Sequence, residues 1–320
     1  MTGSAPRRVA AVDCGTNSIR LLVADVGDEG RLTDVVRRME IVRLGQDIDR
    51  TGVIAPEAMQ RTLAATSDYA EQCRALGAQS VRFVATSASR DARNAEDFVR
   101  GVHAAFGEVG LDVAVEVVAG DVEARLSFSG ATADLPSLGI PGPYVVVDIG
   151  GGSTELVRGT SEVEAARSVD VGSVRMTERH LRSDPPTADE VQAARRDVAA
   201  ALDTVEEVVD LTGIGAVVGV AGTITTVTAH VLRLPAYDSD AVHLARRPPA
   251  VHLAACEELL AMSRAERAAL PYVHPGRVDV IGAGALVWSA VLDRALLRSP
   301  GAEVVISERD ILDGIALSIV

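Results

Sequence analysis

The chain has 320 residues, of which 48% are hydrophobic, and this is enough apolar material for two domains that each have a core. Its 31 basic and 45 acidic residues give a net charge of −14, which argues against nucleic acid as the main ligand because the protein repels polyanions at long range. Every basic residue is an arginine, and the lack of lysine excludes a Walker phosphate loop and a lysine Schiff base.

The first predicted element is a β-hairpin, in which residues 12–18 (Val-Asp-Cys-Gly-Thr-Asn-Ser) lie between two apolar runs. The rest of the first half alternates between helices and strands. Helices are predicted over 56–76, 91–106 and 122–128, strands over 81–84 and 113–118, and a proline- and glycine-rich loop over 135–143.

The second half repeats this plan, because residues 147–153 (Val-Asp-Ile-Gly-Gly-Gly-Ser) predict a second hairpin at an offset of 135 residues (148 minus 13). Strands are predicted over 163–169, 216–220 and 304–306, helices over 174–181, 187–211, 223–232, 251–262, 278–297 and 311–319, and an irregular polar segment over 235–249. Strand-turn-strand followed by alternating elements, done twice, predicts two α/β domains with a cleft between them.

Each hairpin turn carries residues that expose backbone N–H groups and small hydroxyls. Two facing turns would bind phosphate and offer two carboxylates to a divalent metal, Mg²⁺ or Mn²⁺, with Asp148 as the best ligand and Asp13 as a weaker one. Either turn alone is as well explained as an ordinary hairpin, but the shared register of aspartate and serine favours a functional pair. The expected phosphate contacts are Gly15, Thr16, Asn17, Ser18, Gly150, Gly151, Gly152 and Ser153.

An arginine follows the strand over 81–84 and a Thr-Ser turn, at a place from which it could reach the cleft. Arginine binds phosphate by a planar two-point fork, so Arg90 is a candidate catalytic residue. Arg93 could assist it in binding phosphate, although a solvent-facing ion pair is the simpler interpretation of Arg93.

Six segments together carry a more specific pattern: residues 12–20, 84–90 (Val-Ala-Thr-Ser-Ala-Ser-Arg), 120–125 (Gly-Asp-Val-Glu-Ala-Arg), 148–155 (Asp-Ile-Gly-Gly-Gly-Ser-Thr-Glu), 219–224 and 282–285. The pattern covers nearly the whole chain and resembles the exopolyphosphatase and guanosine pentaphosphate phosphohydrolase family. That family belongs to the superfamily of acetate and sugar kinases, heat-shock chaperone ATPases and actin. The ending over 307–314 departs from the family's commoner glycine-leucine-arginine version.

The resemblance implies two actin-like (ribonuclease H-like) domains, residues 1–125 joined by 307–320, and residues 126–306. It implies that Glu155 is a second metal ligand, whereas sequence alone favours an exposed strand residue. It also implies that Glu123 is the general base. Without the resemblance, a helix-capping role is the simpler interpretation of Glu123.

The expected function is a metal-dependent exopolyphosphatase, which removes terminal phosphate from inorganic polyphosphate. The nearest alternative is the same chemistry on guanosine pentaphosphate. A kinase of the same superfamily and a non-enzymatic, actin-like filament protein are weaker alternatives.

The sequence also predicts a cytoplasmic protein. Residues 1–8 contain no apolar run of the kind a signal peptide needs, and the apolar stretch over 280–292 is too short to span a membrane. The three cysteines are widely spaced and fit neither a disulfide framework nor a zinc site. The oligomeric state is not fixed by the sequence, which permits a homodimer.

Overall fold

A computed structural model describes residues 7–27 and 32–319 of the chain. Residues 1–6, on which part of the signal-peptide prediction rests, lie outside the described residues. The chain divides into two compact units, the first made of residues 1–126 and 311–320 and the second of residues 127–310. Both are mixed α/β units with a five-stranded sheet, which confirms the predicted fold class.

The sheet of the first unit has the strand order β3-β2-β1-β4-β5. Its strands are β1 (Arg7–Cys14), β2 (Ser18–Val26), β3 (Leu32–Ile41), β4 (Ser80–Ala85) and β5 (Val113–Val117). The first three form an antiparallel meander, and β4 and β5 extend the sheet in parallel from β1. The sequence patterns did not predict β3, because this half-exposed edge strand has no regular alternation of polar and apolar residues.

The helices that begin in the first unit are α1 (Ile48–Thr51), α2 (Pro56–Ala75), α3 (Ser87–Asp91), α4 (Ala95–Glu108) and α5 (Gly120–Thr132), of which α5 ends in the second unit. The predicted helix over 91–106 was wrong at its start, because α3 already ends at Asp91. The chain is extended at Ala92, and the Asn94 side chain then bonds both the N–H and the carbonyl of Ile54. These bonds separate α3 from α4.

The sheet of the second unit has the order β10-β9-β6-β7-β8 and the same strand directions as the first. Its strands are β6 (Tyr144–Ile149), β7 (Thr154–Gly159), β8 (Val163–Val169), β9 (Ala216–Val220) and β10 (Glu303–Ile306). The repeat extends beyond the turn itself. The register between β2 and β3 shifts at Val23/Ala24, and the register between β7 and β8 shifts at Arg158/Gly159, again 135 residues later (158 minus 23).

The helices of the second unit are α6 (Ser173–Arg179), α7 (Ala188–Glu206), α8 (Ala221–Val231), α9 (Ser239–Val242), α10 (Pro249–Ala261), α11 (Arg264–Ala268) and α12 (Ile281–Arg298). The sequence patterns did not predict the short helices α9 and α11. Both are stabilised at their N-termini by a side chain, Asp238 for α9 and Ser263 for α11. Within the described ranges, no helix has both the length and the apolar character needed to cross a bilayer.

The last helix, α13 (Ile311–Leu317), belongs to the first unit. Its buried Ile311 and Ile315 join Val9 and Ala11 of β1 in the core on one face of the sheet. A further contact fixes the helix, because the Arg37 guanidinium lies 2.6 Å from a carboxylate oxygen of Asp313. The core of the second unit contains the fully buried Trp288 of α12.

Candidate active site

The two predicted turns have the same backbone geometry. In the first turn (residues 15–18) the Gly15 N–H donates to the Ser18 carbonyl at 2.9 Å, and in the second turn (residues 150–153) the Gly150 N–H donates to the Ser153 carbonyl at 3.0 Å. In the part of the chain that the structure describes, four further turn N–H groups have no hydrogen-bond partner, those of Thr16, Asn17, Gly151 and Gly152. Successive N–H groups that lack a partner in a glycine-containing turn are suited to bind an anion.

Another segment of the chain fixes each turn, through a hydrogen bond to a turn carbonyl and through a glycine that packs closely against the turn. The Thr16 carbonyl accepts from the Gly45 N–H at 2.9 Å, and the Gly151 carbonyl accepts from the Val174 N–H at 2.9 Å. A Cβ at Gly45 would lie 2.2 Å from the Thr16 methyl carbon, and a Cβ at Gly172 would lie 2.5 Å from the Gly151 carbonyl oxygen. A larger residue at either glycine would therefore displace the turn.

The two copies differ in what lies opposite the aspartate. In the first unit Asp13 is the cross-strand partner of Arg20, whose guanidinium lies 2.6 Å from the Asp13 Oδ2 atom. In the second unit Asp148 is the cross-strand partner of Glu155. The first aspartate is thus paired with a cation, whereas the second lies beside another carboxylate.

The carboxylates of Asp148 and Glu155 are both buried, with 7% and 1% of each residue exposed. The Ser127 hydroxyl donates to Asp148 Oδ2 at 2.8 Å, and the Ser168 hydroxyl donates to Glu155 Oε1 at 2.6 Å. When both carboxylates are ionised they repel one another, and a hard divalent cation would offset both charges.

The donor set fits magnesium or manganese bound in part by substrate and water. Across residues 7–27 and 32–319 there is no group of three or more histidine, cysteine, aspartate or glutamate side chains that could form an all-protein site. Mg²⁺ commonly takes one or two carboxylates and completes its coordination with phosphate and water oxygens. Asp148 and Glu155 could therefore be the protein ligands of such an ion, whereas Asp13 lies against Arg20.

The candidate base and the candidate arginine contact each other in the first unit. The Arg90 guanidinium donates to the Glu123 Oε2 atom at 3.3 Å and to the Val118 carbonyl at 2.9 Å. Glu123 is 8% exposed, so the contact is largely removed from solvent. Arg90 therefore orients the Glu123 carboxylate, in addition to any contact with phosphate.

Arg93 lies elsewhere in the same unit. Its guanidinium donates to the Thr51 carbonyl at 3.0 Å and packs over Gly52, at the C-terminal end of α1. The side chain is exposed and contacts the backbone of Thr51 and Gly52. The structure thus does not bring Arg93 together with Arg90 and Glu123.

Cys14 lies between Asp13 and the first turn, but it is not a nucleophile. Burial raises the pKa of its thiol well above the usual range, and the negative charge of Asp13 raises it further. The thiol therefore stays protonated, and the reaction cannot proceed through a Cys14 thiolate.

Several neighbouring groups were missed at the sequence level. Ser127 follows Glu123 by four residues on α5, and Ser168 lies on an edge strand with no local motif. The Arg277 guanidinium lies against Gly222, its Nη1 atom 3.3 Å from the Gly222 carbonyl oxygen. Helical spacing could have pointed to Ser127, but no local signal marked Ser168 or Arg277.

The chain is similar to three known proteins along much of its length. "Exopolyphosphatase 2" of Mycobacterium tuberculosis is 50% identical over 315 residues, covering 98% of both chains. A crystal structure of an exopolyphosphatase-like protein is 42% identical with a TM-score of 0.93, covering 99% of this chain and 98% of that one. A "guanosine-5'-triphosphate,3'-diphosphate pyrophosphatase" of Vibrio cholerae is 31% identical over 216 residues, covering 67% of this chain and 42% of that one.

The model of one protein family matches residues 22–319, which is nearly the whole chain. The match includes the second turn, both buried carboxylates and the Arg90–Glu123 contact. The strand order of both units and the repeated turn agree with it. The chain therefore belongs to the Ppx/GppA phosphatase family.

Proposed function

We propose that this protein is an exopolyphosphatase that removes terminal orthophosphate from inorganic polyphosphate with the help of a divalent metal. The observation that carries the proposal is the repeated turn, in each copy of which two N–H groups have no partner among the described residues. The second copy also lies next to two buried carboxylates. Backbone N–H groups of this kind bind phosphate oxygens, and the two carboxylates beside the second turn suit a divalent metal that binds phosphate.

Hydrolysis of a terminal phosphoanhydride needs a held phosphate and a water molecule that loses a proton as it attacks. In the proposed reaction turn N–H groups hold phosphate oxygens, and Glu123 accepts the proton from the water. Arg90 keeps the Glu123 carboxylate in place through the 3.3 Å contact. A Mg²⁺ or Mn²⁺ ion held by Asp148 and Glu155 would supply positive charge that offsets the negative charge of the phosphate oxygens.

The competing substrate is guanosine pentaphosphate, which presents the same kind of bond. Two observations favour polyphosphate. The relative named as an exopolyphosphatase is 50% identical over 98% of this chain, whereas the relative named for the guanosine nucleotide is 31% identical over 67% of it. The sequence also contains four tyrosines, four phenylalanines and one tryptophan, and none was predicted at a base-stacking position.

The decisive experiment measures phosphate release from polyphosphate tens of units long, guanosine pentaphosphate and ATP, at matched concentrations of terminal phosphate. We expect the highest specificity constant for polyphosphate and little hydrolysis of ATP. The rate should depend on magnesium or manganese and disappear in excess chelator. Equal or faster turnover of guanosine pentaphosphate would reject the polyphosphate assignment, and full activity in chelator would reject the metal.

The cytoplasmic location is a proposal that rests on the sequence alone, and the homodimeric state is one that the sequence permits without fixing it. Cell fractionation tests the first. Gel filtration with light scattering tests the second, and a monomer at micromolar concentration would reject it.

A further inference from the structure

One buried contact of the first turn has no part in the function proposed above. The Thr16 and Ser87 hydroxyl oxygens lie 2.7 Å apart, which is the distance of an O–H···O hydrogen bond. Thr16 belongs to the first turn, and Ser87 is the first residue of α3. The two residues are 7% and 2% exposed, so the bond is shielded from water.

This hydroxyl pair has one more proton than the hydrogen bond between its two oxygens uses. Two hydroxyls carry two protons, and only one of them can lie in the bond between the oxygens. Over residues 7–27 and 32–319, neither hydroxyl has a second hydrogen-bond partner. The second proton is therefore available to an anion, and the N–H groups of Thr16 and Asn17 form the adjacent anion site.

The orientation of Thr16 is fixed from its other side. Its methyl carbon would lie 2.2 Å from a Cβ at Gly45, and its carbonyl accepts from the Gly45 N–H. The methyl group thus occupies the space that the glycine leaves. This packing keeps the Thr16 hydroxyl directed at Ser87.

On the far side of the contact, α3 carries Arg90. Ser87 and Arg90 are three residues apart and so leave the helix on the same face. The helix is fixed at its start, because the Thr86 N–H donates to the Cys14 carbonyl at 3.1 Å and the Arg90 N–H donates to the Thr86 carbonyl at 3.0 Å. A movement of Ser87 is therefore transmitted through one helical turn to the arginine that contacts Glu123.

We propose that the Thr16–Ser87 hydroxyl pair sets the position of Arg90, and through it of Glu123, when phosphate occupies the first turn. Ser87 is then a positioning residue for hydrolysis. Bound phosphate accepts a hydrogen bond from the second hydroxyl, which fixes which hydroxyl donates to the other. This holds α3 in one position. The inference rests on the proposed hydrolase function, since Glu123 acts there as the base.

The kinetic test compares Ser87→Ala and Thr16→Val with Ser89→Ala. Ser89 is a matched control because it lies on the same helix, is 1% exposed, and has a hydroxyl without a partner among the described residues. We expect Ser87→Ala and Thr16→Val each to lower kcat roughly tenfold, the scale of one lost hydrogen bond, with KM changed less than about threefold. The double variant should be no slower than the slower single variant, and Ser87→Thr should restore kcat.

A purely structural role would give a different pattern. If Ser87 acts by positioning, Ser87→Ala should not lower kcat any further in a Glu123→Gln background, because the residue that Ser87 positions no longer accepts a proton. A further tenfold loss in that background, or a Ser87→Ala enzyme with the parental kcat, would overturn the inference. Thr16→Ser keeps the hydroxyl but loses the methyl group that directs it at Ser87, so we expect a smaller loss of kcat than in Thr16→Val. An equal loss in these two variants would contradict the role of the hydroxyl, and the comparison provides a second test if Ser87→Ala does not fold.

A binding measurement separates this inference from the proposed function. Orthophosphate added to the full-length protein should shift the side-chain NMR signal of Arg90 in the parent and in Ser89→Ala, but not in Ser87→Ala. If the parent releases no phosphate from polyphosphate and this pattern still appears, the function fails and the coupling stands. If Arg90 responds equally in Ser87→Ala, the coupling fails whatever the substrate.

Discussion

Replacing Asp148 by asparagine should stabilise the metal-free protein while removing its metal-dependent activity. Asp148 and Glu155 are direct cross-strand partners and both are buried, so their carboxylates repel each other at a pH at which both are ionised. Directly opposed residues have Cβ atoms about 5 Å apart. Two like charges at about 5 Å cost on the order of 3 kcal/mol at an effective dielectric constant of about 20.

Asparagine is the appropriate change because it keeps the shape of the side chain and one oxygen. That oxygen can still accept the hydrogen bond that the Ser127 hydroxyl donates at 2.8 Å. The variant therefore loses the charge without losing the bond. For a unit of this size, about 1 kcal/mol corresponds to roughly 2–4 °C in Tm, so relief of the repulsion should raise Tm by several degrees.

Scanning calorimetry in excess chelator and in magnesium provides the assay. In chelator the variant should melt at a higher temperature than the parent. Magnesium should raise the Tm of the parent and leave the variant nearly unchanged, because a ligand stabilises only the form that binds it. Phosphate release should be lost in the variant in both conditions.

The first unit offers a matched control with the opposite sign. Asp13 occupies the same position of the repeat but lies 2.6 Å from the Arg20 guanidinium, so Asp13→Asn removes an attraction and should lower Tm. If Asp148→Asn also lowers Tm in chelator, the second aspartate is already neutralised by the protein. That result would refute the argument that the pair requires a cation.

Three further predictions concern single residues. Glu123→Gln should retain substrate binding but lose turnover by about a hundredfold to ten-thousandfold, as expected for a general base. The control Glu116→Gln removes an ion pair of the same unit and should retain the parental rate. Urea unfolding at several pH values tests the contribution of His252 to stability. Burial lowers the pKa of His252 to about 4. Between about pH 6.5 and 4 the unfolded chain therefore binds a proton at this residue that the folded protein does not bind. Stability should therefore fall as the pH falls through this window, by up to about 3 kcal/mol, and a His252→Leu variant with the parental slope would contradict this. Thr187→Ala removes the hydrogen bond that the Glu190 N–H donates at the start of α7 and should cost about 1 kcal/mol in the same assay, so an unchanged unfolding midpoint would show that the bond contributes nothing.

The sequence by itself determined the repeated architecture. The two turns were predicted because glycine, small hydroxyls and a strand-end aspartate recur in the same order at a fixed offset. Turn chemistry and the period of apolar residues are local signals, so they act within a few residues of the chain. For this reason the strand bounds of β4 and β9 and the start of α2 agree with their predictions.

The partners of the charged residues were not determined in this way. Asp13 and Asp148 look alike in sequence, but one is paired with Arg20 and the other lies beside Glu155. Arg90 and Arg93 were both assigned to phosphate, but only Arg90 contacts Glu123, whereas Arg93 bonds the Thr51 carbonyl. Each outcome depends on where a second segment, distant in sequence, places its backbone.

The tertiary structure alone decided how the first turn is connected to its surroundings. The Thr16 and Ser87 hydroxyls are 71 residues apart in sequence and 2.7 Å apart in space, because β1 and β4 are parallel neighbours that end at the same edge of the sheet. No period or motif encodes such a distance. It follows from strand register, which is set by the packing of the entire sheet against its helices.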